Sequence, residues 1–207
     1  MHPNPIYRKT KEQTALEFAA QRGFGVLTMN GPEAPLSAHI PYVLRSDRTI
    51  SLHLLASNPV WRAIEQPQKA KLIVSGPDGY VSPDWYGVED QVPTWNYVAV
   101  HLSGTLRRLE QDELRGVLDE LSESMERRLA PKKVWTAEKM TPSVLERMMR
   151  TIRPALMSIE TVENTFKLNQ NKTPSARLGA ADAIGASGIG METGALAGMM
   201  RAVEPEA

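Results

Sequence analysis

The chain reads as an α+β protein: a small antiparallel sheet or barrel with helices around it. Three observations lead there. Short β-rich runs recur, at Phe24–Met29, Leu36–Leu44, Thr49–Leu55, 70–75, 99–107 and 156–162, with turn signals between them. Few helices separate the first five runs, which favours antiparallel neighbours over crossover units. A small barrel also removes exposed edges by closing on itself. Past Arg108 the pattern changes to helical spacing, so the helices gather in the C-terminal half.

The elements follow in order. Residues 10–22 predict a helix capped by Thr10, with Leu16, Phe18, Ala19 and Ala20 on its apolar side and Gly23 ending it. Phe24–Met29 predicts a strand closed by Asn30-Gly31-Pro32. Leu36–Leu44 is strand-like around Pro41, a residue that implies an edge, a bulge or a strand end. Residues 45–48 form a hairpin turn into Thr49–Leu55, and Asn58-Pro59 opens a short helix through Trp61 and Ile64. Leu114, Val117, Leu118, Leu121, Met125 and Leu129 predict an amphipathic helix stopped by Pro131. Pro142 starts another, reaching about Arg153 before Pro154. Thr173 and Pro174 open a last helix, followed by a tail rich in Gly and Ala. The expected organisation is 1–110 for the core strands with the N-terminal helix, 111–172 for a helical hairpin and the last strand, and 173–207 for the helical tail.

Composition removes several function classes. The 207 residues suffice for one domain with an appendage or two small ones. Lys plus Arg balances Asp plus Glu at 24 each, which argues against a wholly basic nucleic-acid binder. The absence of cysteine excludes disulfides and thiolate metal sites. The four histidines lack metal-ligand spacing, and there is no P-loop or dinucleotide-binding glycine fingerprint. The N-terminus lacks a signal-peptide layout and no apolar run is long enough to span a bilayer, so the expectation is a cytoplasmic protein without membrane contact.

The segment 76–104 is the most distinctive. It holds two of the four tryptophans, three of the five tyrosines and three prolines. Flat rings with Ser, Thr, Asn and His nearby suit a planar ligand with polar edges, and the same rings would also suit a core beneath a long loop. The prolines and the Asp78-Gly79 and Glu89-Asp90 breaks favour surface loops.

Two motifs here carry a resemblance. They are Gly76-Pro-Asp-Gly-Tyr-Val-Ser-Pro-Asp-Trp-Tyr86 and Val92-Pro-Thr-Trp-Asn-Tyr-Val-Ala-Val-His-Leu-Ser-Gly104. With Pro5 and Tyr7, Gly25-Val-Leu-Thr28, Ala38-His-Ile-Pro41, His53 with Asn58-Pro59, and Lys167-Leu-Asn-Gln-Asn-Lys172, the chain from about 1 to 180 resembles the PaiB family of FMN-binding negative transcriptional regulators. That resemblance implies an antiparallel split β-barrel of the FMN-binding type, FMN as cofactor, and a homodimer with flavin near the interface. It further implies that Ser37, His39 and Pro41 lie along the ring, and that His53, Leu54, Ser57, Asn58 and Trp61 lead to the phosphate. Trp95, Asn96 and Tyr97 would close the site, from the partner chain. Lys167 and Gln170 belong to a second candidate segment, which reads either as a phosphate or partner contact or as a polar turn. A flavin-dependent oxidoreductase and a haem-handling barrel are the alternative functions on the same fold.

One departure from the family pattern stands out. Ala56 occupies a position between His53 and Asn58 where family members often carry a base. Arg62, Lys167, or backbone amides at a helix N-terminus near Ser57 and Asn58 are the candidate substitutes.

The charge distribution bears on DNA. Residues 110–126 hold seven acids and one base, and 127–153 hold eight bases and two acids. The equal excesses favour pairing between two helices. The gap between those helices is too long for a helix-turn-helix, so DNA as a partner rests on the family resemblance.

Overall fold

The computed structural model describes residues 1–203. Its elements are α1 (Glu12–Arg22), β1 (Phe24–Met29), β2 (Leu36–Leu44), β3 (Thr49–Leu55), α2 (Pro59–Ala63), β4 (Gln68–Val81), β5 (Thr94–Arg108), α3 (Leu114–Glu126), α4 (Pro142–Met149), β6 (Ile152–Lys167), α5 (Pro174–Ser187), β7 (Gly190–Met191) and α6 (Thr193–Arg201). No helix among the described residues is long and apolar enough to cross a membrane.

The strands follow the order β1-β2-β3-β6-β5-β4-β7, and β1 also pairs with β4, so the first six close a ring. The pairings β1–β2, β2–β3, β3–β6 and β1–β4 are antiparallel. The split-barrel α+β fold expected above is therefore present. Pro41 explains itself in this topology. It is the last β2 residue opposite β1, facing Phe24, and the next residue, Tyr42, already pairs with Leu52 of β3. The residue without an N–H sits where the strand exchanges one neighbour for the other.

The chain forms two compact units, Leu16–Val74 with His101–Val162, and Met1–Ala15 with Ser75–Val100 and the chain from Glu163 onward. In the first of these, alternate residues point inward: Leu27 and Met29, Ala38, Ile40 and Tyr42, Ile50, Leu52 and Leu54, Leu72 and Val74, Leu102 and Leu106, Ala155 and Met157. A fully buried Leu of this kind contributes about 2 kcal/mol. Tyr42 carries a hydroxyl into this core and donates it to the Ala19 carbonyl at 2.7 Å, which satisfies it. The strand backbones come close: a Cβ on Gly104 would lie 1.9 Å from the Ser158 carbonyl oxygen, and one on Gly25 2.7 Å from that of Ile73.

In the other unit, α5 and α6 pack on each other through Ala180, Ala181, Ile184, Leu196 and Met200. Arg177 is buried at their contact and donates to the carbonyls of Met200 at 3.0 Å and Val203 at 2.9 Å, at the C-terminal end of α6. The N-terminal segment is tied to the 167–172 turn through Gln170, whose amide reaches Ile6 O at 3.3 Å.

The strands of the aromatic segment are longer than their sequence signals. Residues 76–81 belong to β4 and 94–104 to β5, leaving a loop only at 82–93, with a short 3-10 turn at Pro83–Tyr86. Asp78-Gly79 reads as a turn but lies in β4. Gly79 is there because a Cβ would fall 2.9 Å from the Ile184 side chain of α5 and 3.2 Å from Ile189 O. The helix expected up to Arg153 ends at Met149, and Pro154 is the third residue of β6, its carbonyl still accepting from Leu109 N at 3.0 Å.

The pairing expected between the acidic and basic helices is mostly absent. Glu120 of α3 bonds Arg45, just past the end of β2, at 2.6–2.8 Å, Asp119 bonds Arg115, Glu123 bonds Arg127, and Glu126 bonds Lys132. Acids of α3 thus find bases on their own helix, just past its end, or in the turn after β2. Arg147, Arg150 and Arg153 take part in no ion pair among the described residues.

The close approach at Gly104 makes a firm prediction. Gly104→Ala forces β5 and β6 apart and lowers the unfolding free energy by on the order of 3 kcal/mol, read as a shifted urea midpoint.

Candidate functional site

On β2 the residues that alternate with the core set face outward. Ser37 and His39 are exposed, and Ser37 Oγ lies 3.5 Å from Thr28 Oγ1 on β1. The His39 ring stacks on Phe24 with centroids 6.3 Å apart and 28° between planes, and Phe24 is itself 54% exposed. This strip offers a flat apolar surface with a hydroxyl and an imidazole beside it. Next to it, Thr28, Asn30, Lys69, Lys71, Ser103 and Glu160 line a cleft of about 420 Å³, within the range of small-molecule sites. In that cleft Lys69 Nζ bonds Glu160 at 2.6 Å, and Thr105 Oγ1 bonds the same carboxylate at 2.6 Å. These bonds hold the Glu160 carboxyl below its ordinary range. None of the cleft residues was expected from the sequence to contact a ligand, although Thr28 and Ser103 fall in the quoted motifs. The available signal was the outward alternation of Lys69 and Lys71 with Ala70 between them.

His53 of β3 lies opposite Pro154. It is half-buried, and its Nδ1 is enclosed without a hydrogen-bond partner. Burial pushes its pKa down, so the ring is neutral near pH 7. An enclosed ring nitrogen without a partner is an unsatisfied polar atom, and a ligand's polar edge meets it only once neighbouring side chains shift. Leu54 faces the core at 3% exposure, so only its backbone can reach a ligand. Ser57 is exposed. Asn58 caps α2, its Oδ1 accepting from Val60 N at 2.9 Å, and Trp61 is 9% exposed. The Arg108 guanidinium lies 4.6 Å from the Trp61 ring centroid.

The remaining sequence candidates lie in the unit formed by Met1–Ala15, Ser75–Val100 and the chain from Glu163. Trp95 is 43% exposed. Its indole N–H donates to Asp78 at 3.2 Å and its ring meets Tyr80 edge-on at 6.4 Å. Asn96 is fully buried, its amide against Met200 Sδ at 3.5 Å, and its Oδ1 has no partner. Tyr97 is half-buried on β5. Lys167 bonds Thr94 Oγ1 and lies 5.8 Å above the Tyr7 ring, and burial lowers its pKa. Gln170 uses its amide within its own turn, accepting from Leu168 N at 2.8 Å and donating to Phe166 O at 2.6 Å. Gln170 therefore acts as the polar turn of the two readings given for this segment.

A flavin mononucleotide needs a flat slot, polar partners for the ring edges and donors for a dianionic phosphate. Ser37, His39 and the enclosed Nδ1 of His53 supply the second, the Phe24–His39 strip supplies apolar area, and a guanidinium stands beside Trp61. The donor set fits the group.

The His53 environment predicts a pH dependence. The unfolded imidazole takes up a proton near pH 6.5, whereas the folded one does so only at lower pH. The unfolded state therefore binds more protons as pH falls, and stability present above pH 6.5 is lost on acidification. His53→Gln is expected to flatten the fall in unfolding free energy between about pH 7 and pH 5, and an unchanged slope would count against a buried neutral ring.

Comparison with known proteins agrees with the geometry. The family described as "Putative FMN-binding domain" matches residues 1–161. The protease synthase and sporulation protein PAI 2 of Bacillus subtilis (strain 168) is 30% identical over 175 residues, 83% of each chain. In fold the chain is similar to an FAD and heme binding protein from Mycobacterium smegmatis, at 17% identity and a TM-score of 0.58 over 89% of this chain and 82% of that one. It is also similar to the flavocytochrome Anf3 from Azotobacter vinelandii, at 16% identity and a TM-score of 0.54 over 80% and 72%. With most of its length matched and its strand order closing a split barrel, the chain belongs to the PaiB-like family of FMN-binding domains.

Proposed function

We propose that this protein binds FMN on its split barrel and serves as a PaiB-like regulator, working as a cytoplasmic homodimer. Two observations carry the flavin reading: the outward strip of β2 with Phe24 stacked on His39, and the unpartnered Nδ1 of His53 on β3. Bound there, FMN supplies one- and two-electron redox chemistry. The chain's own residues position it: Ser37 and His39 meet the ring's polar edge, His53 stays neutral as a hydrogen-bonding group, and Trp61 with Asn58 shapes the phosphate end. Trp95 is exposed enough to cover a ligand of a second copy, which is the support for a shared site.

The regulatory reading rests on the similarity to the sporulation protein and on Arg147, Arg150 and Arg153. These three basic groups have no carboxylate partner among the described residues, and they suit a phosphate backbone.

Two measurements test this. Purified protein, mixed with FMN and freed of excess, is expected to retain flavin absorbance and to elute at twice the chain mass by light scattering. Colourless protein after loading would end the cofactor reading. Retention on promoter-bearing DNA is expected at low salt and should fall steeply as salt rises, since each neutralised phosphate releases counterions. No retention at low salt would remove DNA from the partners.

A further inference from the structure

We propose that Arg108, at the end of β5, supplies the cation for the ligand's phosphate that the 53–59 segment lacks. The inference rests on the flavin reading above. Between His53 and Pro59 there is no base, only Leu54, Leu55, Ala56, Ser57 and Asn58. A phosphate dianion without a cationic donor is held weakly, so the charge must come from elsewhere.

Two of the candidate substitutes are already largely engaged. The N-terminus of α2 has little to donate. Pro59 has no N–H, the Val60 N–H is taken by Asn58 Oδ1 at 2.9 Å, the Arg62 N–H by Asn58 O at 3.1 Å, and the helix is only five residues long. Lys167 is already engaged, bonding Thr94 Oγ1 and lying 5.8 Å from the Tyr7 ring centroid.

Arg108 is placed differently. Its guanidinium lies flat against Trp61, 4.6 Å from the ring centroid. Nη2 donates to Trp61 O at 2.9 Å and reaches Arg62 O at 3.5 Å. These contacts hold the side chain in one position beside the Asn58–Arg62 turn. They leave the N–H groups on Nη1 and Nε without an acceptor, and no carboxylate pairs with Arg108 among the described residues. A guanidinium held in place with its charge unpaired offers a phosphate a charge-assisted hydrogen bond at little further loss of side-chain freedom. Arg62 is exposed on the same turn, and its guanidinium also lacks a partner among the described residues.

The competing role is structural: Arg108 would only bind the last carbonyls of α2. FMN and riboflavin separate the two, because they differ by the phosphate alone. Arg108→Gln keeps an amide N–H for Trp61 O and removes the charge. The wild type is expected to prefer FMN. In the variant, FMN affinity should fall roughly ten- to a hundred-fold while riboflavin affinity stays within about two-fold, followed by flavin fluorescence quenching. Equal losses for both flavins, or an unchanged FMN-to-riboflavin ratio, would overturn the inference while leaving the cofactor reading intact. Wild-type protein that takes up neither flavin overturns both. If Arg108→Gln does not fold, Arg108→Met must still lower the ratio roughly ten-fold, since it removes the charge while keeping an apolar stem over Trp61. A ratio equal to the wild type's counts against the role.

Discussion

Closure of the sheet by β1 against β4 is the constraint on which the rest of this structure depends. Without it the barrel strands would present two edges, and the inward residues of six strands would lack a common interior. Closure draws backbones together more tightly than side chains permit at two points. Gly25 lies against Ile73 of β4, and Gly104 of β5 against Ser158 of β6. Both are positions where the missing Cβ matters for distance rather than for dihedral freedom. The switch of β2 from β1 to β3 at Pro41 lets one strand serve two neighbours around the ring.

The same closure creates the outward faces from which the site is built. Once Ala38, Ile40 and Tyr42 are committed to the core, Ser37 and His39 must point to the surface, and Thr28 follows from the register of β1. His53 falls between these conditions. Burial lowers its proton affinity, and its Nδ1 finds no partner among the described residues. Such an atom costs stability in the ligand-free protein, and that cost is recovered if a ligand supplies the missing hydrogen bond.

Charge is organised more locally than its distribution along the chain suggests. The acids of α3 bond to Arg45, Arg115, Arg127 and Lys132, within a helical turn or two or across to the turn after β2. These are mostly exposed pairs and contribute little stability each. Their consequence is what they leave over. Among the described residues the basic groups of α4 and early β6 have no carboxylate partner, nor do Arg62 and Arg108 near α2. A chain with zero net charge thus carries a cationic region, which composition alone cannot disclose.

Much of this was legible in the amino-acid order. Period-two patterning and turn residues determined β1, β2 and β3 to their ends, and Asn58-Pro59 and Thr173-Pro174 determined where α2 and α5 begin. The paired aromatic motifs determined the family and, with it, the split barrel and FMN. Other features belonged to the tertiary structure alone. The length of β4 and β5 was hidden by Asp78-Gly79 and Pro93, because glycine admitted for the close approach of Ile184 looks, in sequence, like glycine at a turn. The enclosure of Asn96, the use of Gln170 within its own turn and the cleft beside Thr28 depend on residues far apart in the chain. So does the guanidinium of Arg108 over Trp61, 47 residues away. Sequence order sets the local backbone preferences; which polar groups remain free to meet a ligand depends on which distant groups have already bonded to the others.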